Sequence, residues 1–161
     1  MMNQNKIVKY QAGQLQRLSN VLSITNKILD IDLRKLFIIH LDDHSLFRKG
    51  VKISLLKKLP NIQIKEFSRN DGALEFIASS YKDNKKIDLI ITDFNHPGPN
   101  GLIFAKEVRE LEKKFNVKTP IMLFTMRWED SSLIEATKAG IFDGYFPKSA
   151  ELDGIISFIK K

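Results

Sequence analysis

The sequence predicts a doubly wound α/β domain, a five-stranded parallel sheet with helices on both faces, preceded by an extra N-terminal helix. Three observations carry that expectation. First, short apolar runs recur along the 161-residue chain at 36–41, 62–67, 87–92, 121–124 and 143–146. The run at 121–124 is wholly apolar and those at 36–41 and 87–92 are mostly so, as strands buried on both faces of a parallel sheet are. Second, segments of helical periodicity separate them, and strict alternation implies right-handed crossovers. Third, four runs end in reactive polar residues: Asp42-Asp43, Asp93, Thr125 and Lys148. Residues just past the C-terminal ends of parallel strands converge on one edge of the sheet, where α/β proteins place their sites.

Residues 1–12 are polar, lack a signal-peptide hydrophobic region and are expected to be disordered. A helix is expected over about 14–30. There Leu15, Leu18, Leu22, Thr25 and Leu29 repeat at 3-4-3-4 spacing, two heptads of a coiled-coil seam. That stripe either docks on its own domain or pairs with a second copy. The N-terminal extension is assigned to 1–35 and the main domain to 36–161.

Within the main domain the first strand, 36–41, leads to a helix over 44–59. Leu46, Phe47, Gly50, Val51, Ser54 and Leu55 share its inner face, and Pro60-Asn61 ends it. After the strand at 62–67, Asn70-Asp71 is an N-cap pair for a helix carrying Leu74, Ile77, Ala78 and Tyr81. The strand at 87–92 feeds a Pro/Gly-rich loop at 95–101. The next helix buries Leu102, Phe104 or Ala105, Val108 and Leu111. A strand at 121–124, a helix at 130–139 stopped by Gly140, a strand at 143–146 and a helix at 150–160 complete the chain.

Hydrophobic content of 43% and charged content of 28% suit a globular domain. The absence of cysteine excludes disulfides, zinc thiolates and thiol catalysis. No apolar run approaches the roughly 20 residues of a membrane span, so no membrane association is expected and a cytoplasmic location is the default. The net charge of +7 raises nucleic acid as a partner. The lysines are dispersed, however. Pairs such as Lys57-Lys58, Lys85-Lys86 and Lys113-Lys114 fall at helix ends, where cations complement the helix dipole.

The strand-end residues carry the chemistry. Adjacent carboxylates at Asp42-Asp43 repel unless partnered, and Mg2+ relieves that repulsion through carboxylate oxygens. The competing reading makes one of them the N-cap of the following helix. A carboxylate at the end of a buried strand, as at Asp93, is costly without partners. As a nucleophile it would attack phosphorus to form an acyl phosphate. Mg2+ would neutralise charge on the carboxylates and the phosphoryl oxygens. Thr125 offers a hydroxyl donor and Lys148 an ammonium point charge. Read singly, Thr125 is a β-branched strand residue and Lys148 a surface lysine.

Four segments taken in order resemble the receiver domain of two-component response regulators. They are Asp42-Asp43-His44-Ser45-Leu46-Phe47-Arg48-Lys49-Gly50, the stretch from Asp93-Phe94-Asn95 to Asn100-Gly101, Thr125-Met126, and Tyr145-Phe146-Pro147-Lys148-Ser149-Ala150. The resemblance covers about 36–161 and looks most like receivers of the LuxR/NarL type. It implies a flavodoxin-like fold with strand order 2-1-3-4-5. It implies Asp93 as phosphoacceptor, and Mg2+ held by Asp43, Asp93 and the backbone carbonyl of Asn95, with Asp42 acting beside them. Thr125 and Lys148 would bind the phosphoryl group, and Tyr145 would be an aromatic switch coupled to Thr125. The implied donor is a sensor histidine kinase, a phosphotransfer protein or a small phosphodonor. The implied output is altered protein–protein contact, the only catalysis being the domain's own phosphorylation and dephosphorylation.

Departures from the family pattern are few. His96 stands where methionine is common, and a passive loop role is expected for it. His40 and His44 show no metal-ligand spacing. Arg127-Trp128 after Thr125-Met126 is a bulky pair that would restrict attacking water. No DNA-binding domain is expected in this chain, although LuxR/NarL-type regulators carry one. Three rivals stay open: a receiver-like module that works without phosphorylation, a nucleic-acid binder, and a hydrolase of phosphate esters. The last would need a second acid near Asp93, and position 95 is asparagine.

Overall fold

Five parallel strands form one sheet in the order β2-β1-β3-β4-β5 in the computed structural model, which describes residues 13–23, 35–95, 98–126, 131–149 and 152–159. The strands are β1 (Phe37–Leu41), β2 (Gln63–Phe67), β3 (Leu89–Thr92), β4 (Ile121–Thr125) and β5 (Gly144–Pro147). The order is the one implied by the receiver resemblance. The chain divides into two compact units, one holding the N-terminal helix and the other spanning Lys35–Ile159.

In the first unit, residues 13–23 form helix α1, with Leu15, Leu18, Val21 and Leu22 exposed. Thr25 and Leu29 of the expected seam lie outside the described residues, as do residues 1–12.

In the second unit the helices are α2 (Ser45–Lys58), α3 (Asn70–Lys82), α4 (Gly101–Phe115), α5 (Ser131–Lys138) and α6 (Asp153–Ile159). Side chains alternate across each strand, so the two faces of the sheet carry separate cores. On one face Ile39, Leu41, Ile90 and Leu123 pack with Ile77 of α3, Phe104 and Val108 of α4 and Leu133 of α5. On the other, Ile38, Leu89, Ile91 and Met122 pack with Val51 and Leu55 of α2 and with Ile155 and Ile156 of α6. Each large apolar side chain buried this way contributes about 1.5–3 kcal/mol relative to exposure.

Four expectations needed correction. Leu46 was assigned to the inner face of its helix but is 82% exposed, and Gly50 is exposed as well. The buried stripe of α2 is carried by Val51 and Leu55. Neither Asp42 nor Asp43 caps α2, because the helix starts one residue later than expected, at Ser45, with His44 at the cap position. Asn70 is not an N-cap either. It is the first residue of α3, and its buried amide donates to the Pro99 carbonyl at 2.7 Å. Finally, β3 begins at Leu89 rather than 87. Asp88 ends the lead-in by closing a two-way bridge to Phe37, its N–H donating to the Phe37 carbonyl and its carboxylate accepting from the Phe37 N–H.

Candidate functional site

Strand register builds the site. Leu41 of β1 pairs with Thr92 of β3, so the next residues, Asp42 and Asp93, leave the sheet side by side. Thr125 of β4 pairs with Pro147 of β5, so Lys148 emerges one step beyond Thr125. The ladders run on into these residues. The Asp42 N–H donates to the Phe67 carbonyl at 3.1 Å, the Asp93 N–H to Leu41 at 3.0 Å, and the Lys148 N–H to Thr125 at 2.9 Å. Their backbones are therefore as fixed as the sheet itself.

The loop after β3 adds a second clamp. Gly101 opens α4 against the Asp93 backbone, and a Cβ at that position would stand 2.2 Å from the Asp93 carbonyl oxygen. Only glycine admits this approach. The Gly101 N–H donates to Phe94, and Asn100 caps α4 by accepting from Leu102 and Ile103. Within this clamp the Asp93 carboxylate accepts from the Phe94 N–H at 2.7 Å.

Lys148 joins the two halves of the site. Its Nζ lies 2.6 Å from Asp42 Oδ2 and 2.8 Å from Asp93 Oδ2, and all three side chains are at most 8% exposed. Burial opposes the ammonium charge, but the hydrogen bonds it donates to both carboxylates, together with their negative charge, outweigh it and hold the Lys148 pKa above the ordinary lysine value. Phe47 presents its ring to the same ammonium at 4.5 Å, a cation–π contact. Arg48 Nη1 donates to the Asp42 carbonyl. Thr125 is fully buried, Tyr145 is half-buried against the α4–α5 core, and Asn95 is exposed beyond Phe94.

Asp43 is partly exposed beside this pair, and His44 lies over it. The His44 Nδ1 is 2.9 Å from Asp43 Oδ1 and 3.5 Å from Asp42 Oδ1. Donor atoms of Asp42, Asp43, His44 and Asp93 all fall within 4.8 Å of one another. Three carboxylates against the single ammonium of Lys148 leave an excess of negative charge. Hard oxygen donors with that excess fit a divalent cation.

The structure thus brings Asp42, Asp43, Asp93 and Lys148 into contact, and sets Thr125 at the adjoining strand end. His96, Arg127 and Trp128 lie outside the described residues. Sequence reasoning missed two participants. Phe47 read as a core position, and His44 showed no ligand spacing. His44 adjoins Asp43 in the chain, so the spacing patterns of paired histidines could not reveal it. His40, by contrast, is buried under Phe47 with ring centroids 6.4 Å apart. Burial drives its pKa down to about 4, against the opposing pull of Asp42 and Glu66, so it is neutral near pH 7.

Known proteins resemble this chain in sequence and in fold. Residues 38–160 match the family model for the response regulator receiver domain. The nitrate/nitrite response regulator protein NarL of Escherichia coli K12 is 31% identical over 120 residues, covering 74% of this chain and 50% of that protein. The chain therefore spans about half the length of that regulator. A chemotaxis protein CheY homolog of Campylobacter jejuni is 32% identical over 100 residues, covering 62% of this chain and 72% of its own. Among solved structures, the receiver domain of the histidine kinase CKI1 from Arabidopsis thaliana, complexed with Mg2+ and BeF3−, superposes with a TM-score of 0.70 at 22% identity. That likeness covers 81% of this chain and 95% of the other, and it concerns the fold. On the strength of the family match and the sheet order, this chain belongs to the response regulator receiver domain family of two-component signalling systems.

Proposed function

We propose that the pocket accepts a phosphoryl group on Asp93 and that the domain acts as a phosphorylation-dependent switch. The observation that carries this reading is Lys148 bridging Asp42 and Asp93 at 2.6 and 2.8 Å in a buried pocket that still has carboxylate in excess. Such an arrangement is costly to bury and is suited to receiving a divalent cation and a phosphoryl anion together.

Asp93 Oδ attacks phosphorus. The bond from phosphorus to the donor breaks, and the donor nitrogen of a histidine kinase or phosphotransfer protein leaves with the bonding pair. Asp42, Asp43, Asp93 and the Asn95 carbonyl would hold Mg2+, which supplies charge neutralisation for the transferring oxygens. Lys148 then exchanges its bond to the Asp93 carboxylate for one to a phosphoryl oxygen, and the Thr125 hydroxyl donates to another. Displacement of Thr125 toward that oxygen opens the space that Tyr145 fills. The signal leaves through the surface of α5, β5 and α6, reached from Thr125 at the end of β4 and Tyr145 on β5. Only a few kcal/mol of differential binding is needed to shift such an equilibrium.

Residues 1–35 form the extension and 36–161 the receiver in this reading. A homodimer would use the Leu15, Leu18 and Leu22 stripe. Titration with Mg2+ and beryllium fluoride tests the switch. Amide resonances near Thr125 and Tyr145 should shift in the wild type and stay fixed in Asp93→Asn. Fixed resonances in both proteins would contradict it.

A further inference from the structure

We propose that Phe47 is a positioning residue for phosphoryl transfer, its ring holding the Lys148 ammonium in place between Asp42 and Asp93. The inference rests on the phosphoacceptor reading above and concerns what keeps Lys148 at its post. An ammonium on a flexible four-carbon stem has no fixed direction of its own. In the free domain two carboxylates fix it, at 2.6 and 2.8 Å. Both contacts are disturbed when a cation draws on the same carboxylates and Asp93 takes a phosphoryl group. The Phe47 ring, 4.5 Å from Nζ, neither ligates a hard cation nor reacts with phosphorus. Its attraction for the ammonium therefore persists through the exchange. That attraction is strongest where water is excluded, and Lys148 is only 8% exposed.

The ring is itself held. Phe47 lies in the first turn of α2 and packs on the core beneath that helix. Its centroid is 5.2 Å from that of Phe124 on β4 and 6.4 Å from that of His40 on β1, both of them buried. Phe124 immediately precedes Thr125, and His40 stands two residues before Asp42. The strands that deliver the hydroxyl and one carboxylate thus also seat the ring. Leucine or methionine would supply apolar bulk at this position, but only an aromatic face adds an attraction for a cation.

Incubation of the full chain with phosphoramidate and Mg2+, followed by intact mass, tests this. Asp93 Oδ attacks phosphorus, the phosphorus–nitrogen bond of the N-protonated donor breaks, and ammonia leaves with the bonding pair. Phe47→Leu and Phe47→Met should gain the group about threefold to thirtyfold more slowly, the range of one cation–π contact. Phe47→Tyr, which keeps the ring, should stay close to the wild-type rate. So should Val51→Ala, which weakens the buried stripe of the same helix. Urea unfolding without Mg2+ gives a readout apart from transfer. There Phe47→Leu should lower the folding constant about threefold to thirtyfold more with Lys148 present than in a Lys148→Met background. Wild-type rates in the Leu and Met variants, equal slowing in Phe47→Tyr or Val51→Ala, or additive losses in urea overturn the proposal while leaving Asp93 as acceptor. A folded wild type that gains no phosphoryl group overturns both.

Discussion

Lys148 faces two buried carboxylates at once, and that makes it the most informative single side chain. Removing it by Lys148→Met leaves Asp42 and Asp93 facing each other without a counter-charge. Breaking a buried pair in this way costs about 3–5 kcal/mol. Urea unfolding should show a loss of that order, and millimolar Mg2+ should restore part of it by replacing the missing charge. A variant whose stability ignores Mg2+ would argue against a cation in this pocket. His40 supplies a pH signature from the same neighbourhood. Its pKa falls from an unfolded value of 6.5 to about 4 in the fold. The unfolded chain therefore binds the extra proton between those values, and stability falls as pH drops from about 6.5 toward 4. The loss approaches about 3 kcal/mol at the low end. Equilibrium unfolding across that range should show a steeper slope in the wild type than in His40→Leu. These pairings were only partly legible in the sequence. The acids and the lysine were recognisable because each ends an apolar run. His44 and Phe47 were not, because their partners come from turn geometry and from a strand distant in the chain.

At the scale of elements, the strands were readable from apolar runs of the right length, their order came from the receiver resemblance, and four strand ends marked the pocket. Helix faces were less so. Glu112 lies four residues after Val108, on the buried side of α4. It is held there by Arg109, whose Nη1 reaches both carboxylate oxygens at 2.8 Å, and by the Thr119 N–H at 2.7 Å. Arg109 also contacts Asp143 just before β5, so a single guanidinium ties α4 to the starts of β4 and β5. Nothing in local pattern announces a network whose members are up to 34 residues apart. Arg109→Leu should cost about 3–5 kcal/mol in chemical denaturation, and a change within about 0.5 kcal/mol would show the network to be passive. The start of α4 offers a sharper test. In Gly101→Ala the added methyl collides with the Asp93 carbonyl, so helix or loop must move. Both unfolding free energy and Mg2+ affinity should fall, whereas Gly50→Ala, with open space around it, should leave metal affinity intact and stability equal or higher.

Across the whole molecule, one sheet serves two purposes. Its two faces hold separate apolar cores, and its C-terminal edge collects the charged residues that neither core could accept. The net charge of +7 does not gather on that edge. Several lysines are instead paired locally, as in Lys52–Glu66, Lys86–Asp88 and Lys113–Glu110, which agrees with reading the basic balance as solvated surface. The partner kinase was not legible, since neither apolar periodicity nor strand-end chemistry encodes it. The central claim is that Asp93 is the phosphoacceptor, and intact mass after incubation with Mg2+ and a small phosphodonor tests it most directly. The wild type should gain one phosphoryl group that Asp93→Asn does not. Addition of the same group to Asp93→Asn, or to neither protein while both remain folded, would contradict the account and favour a receiver that works without phosphorylation.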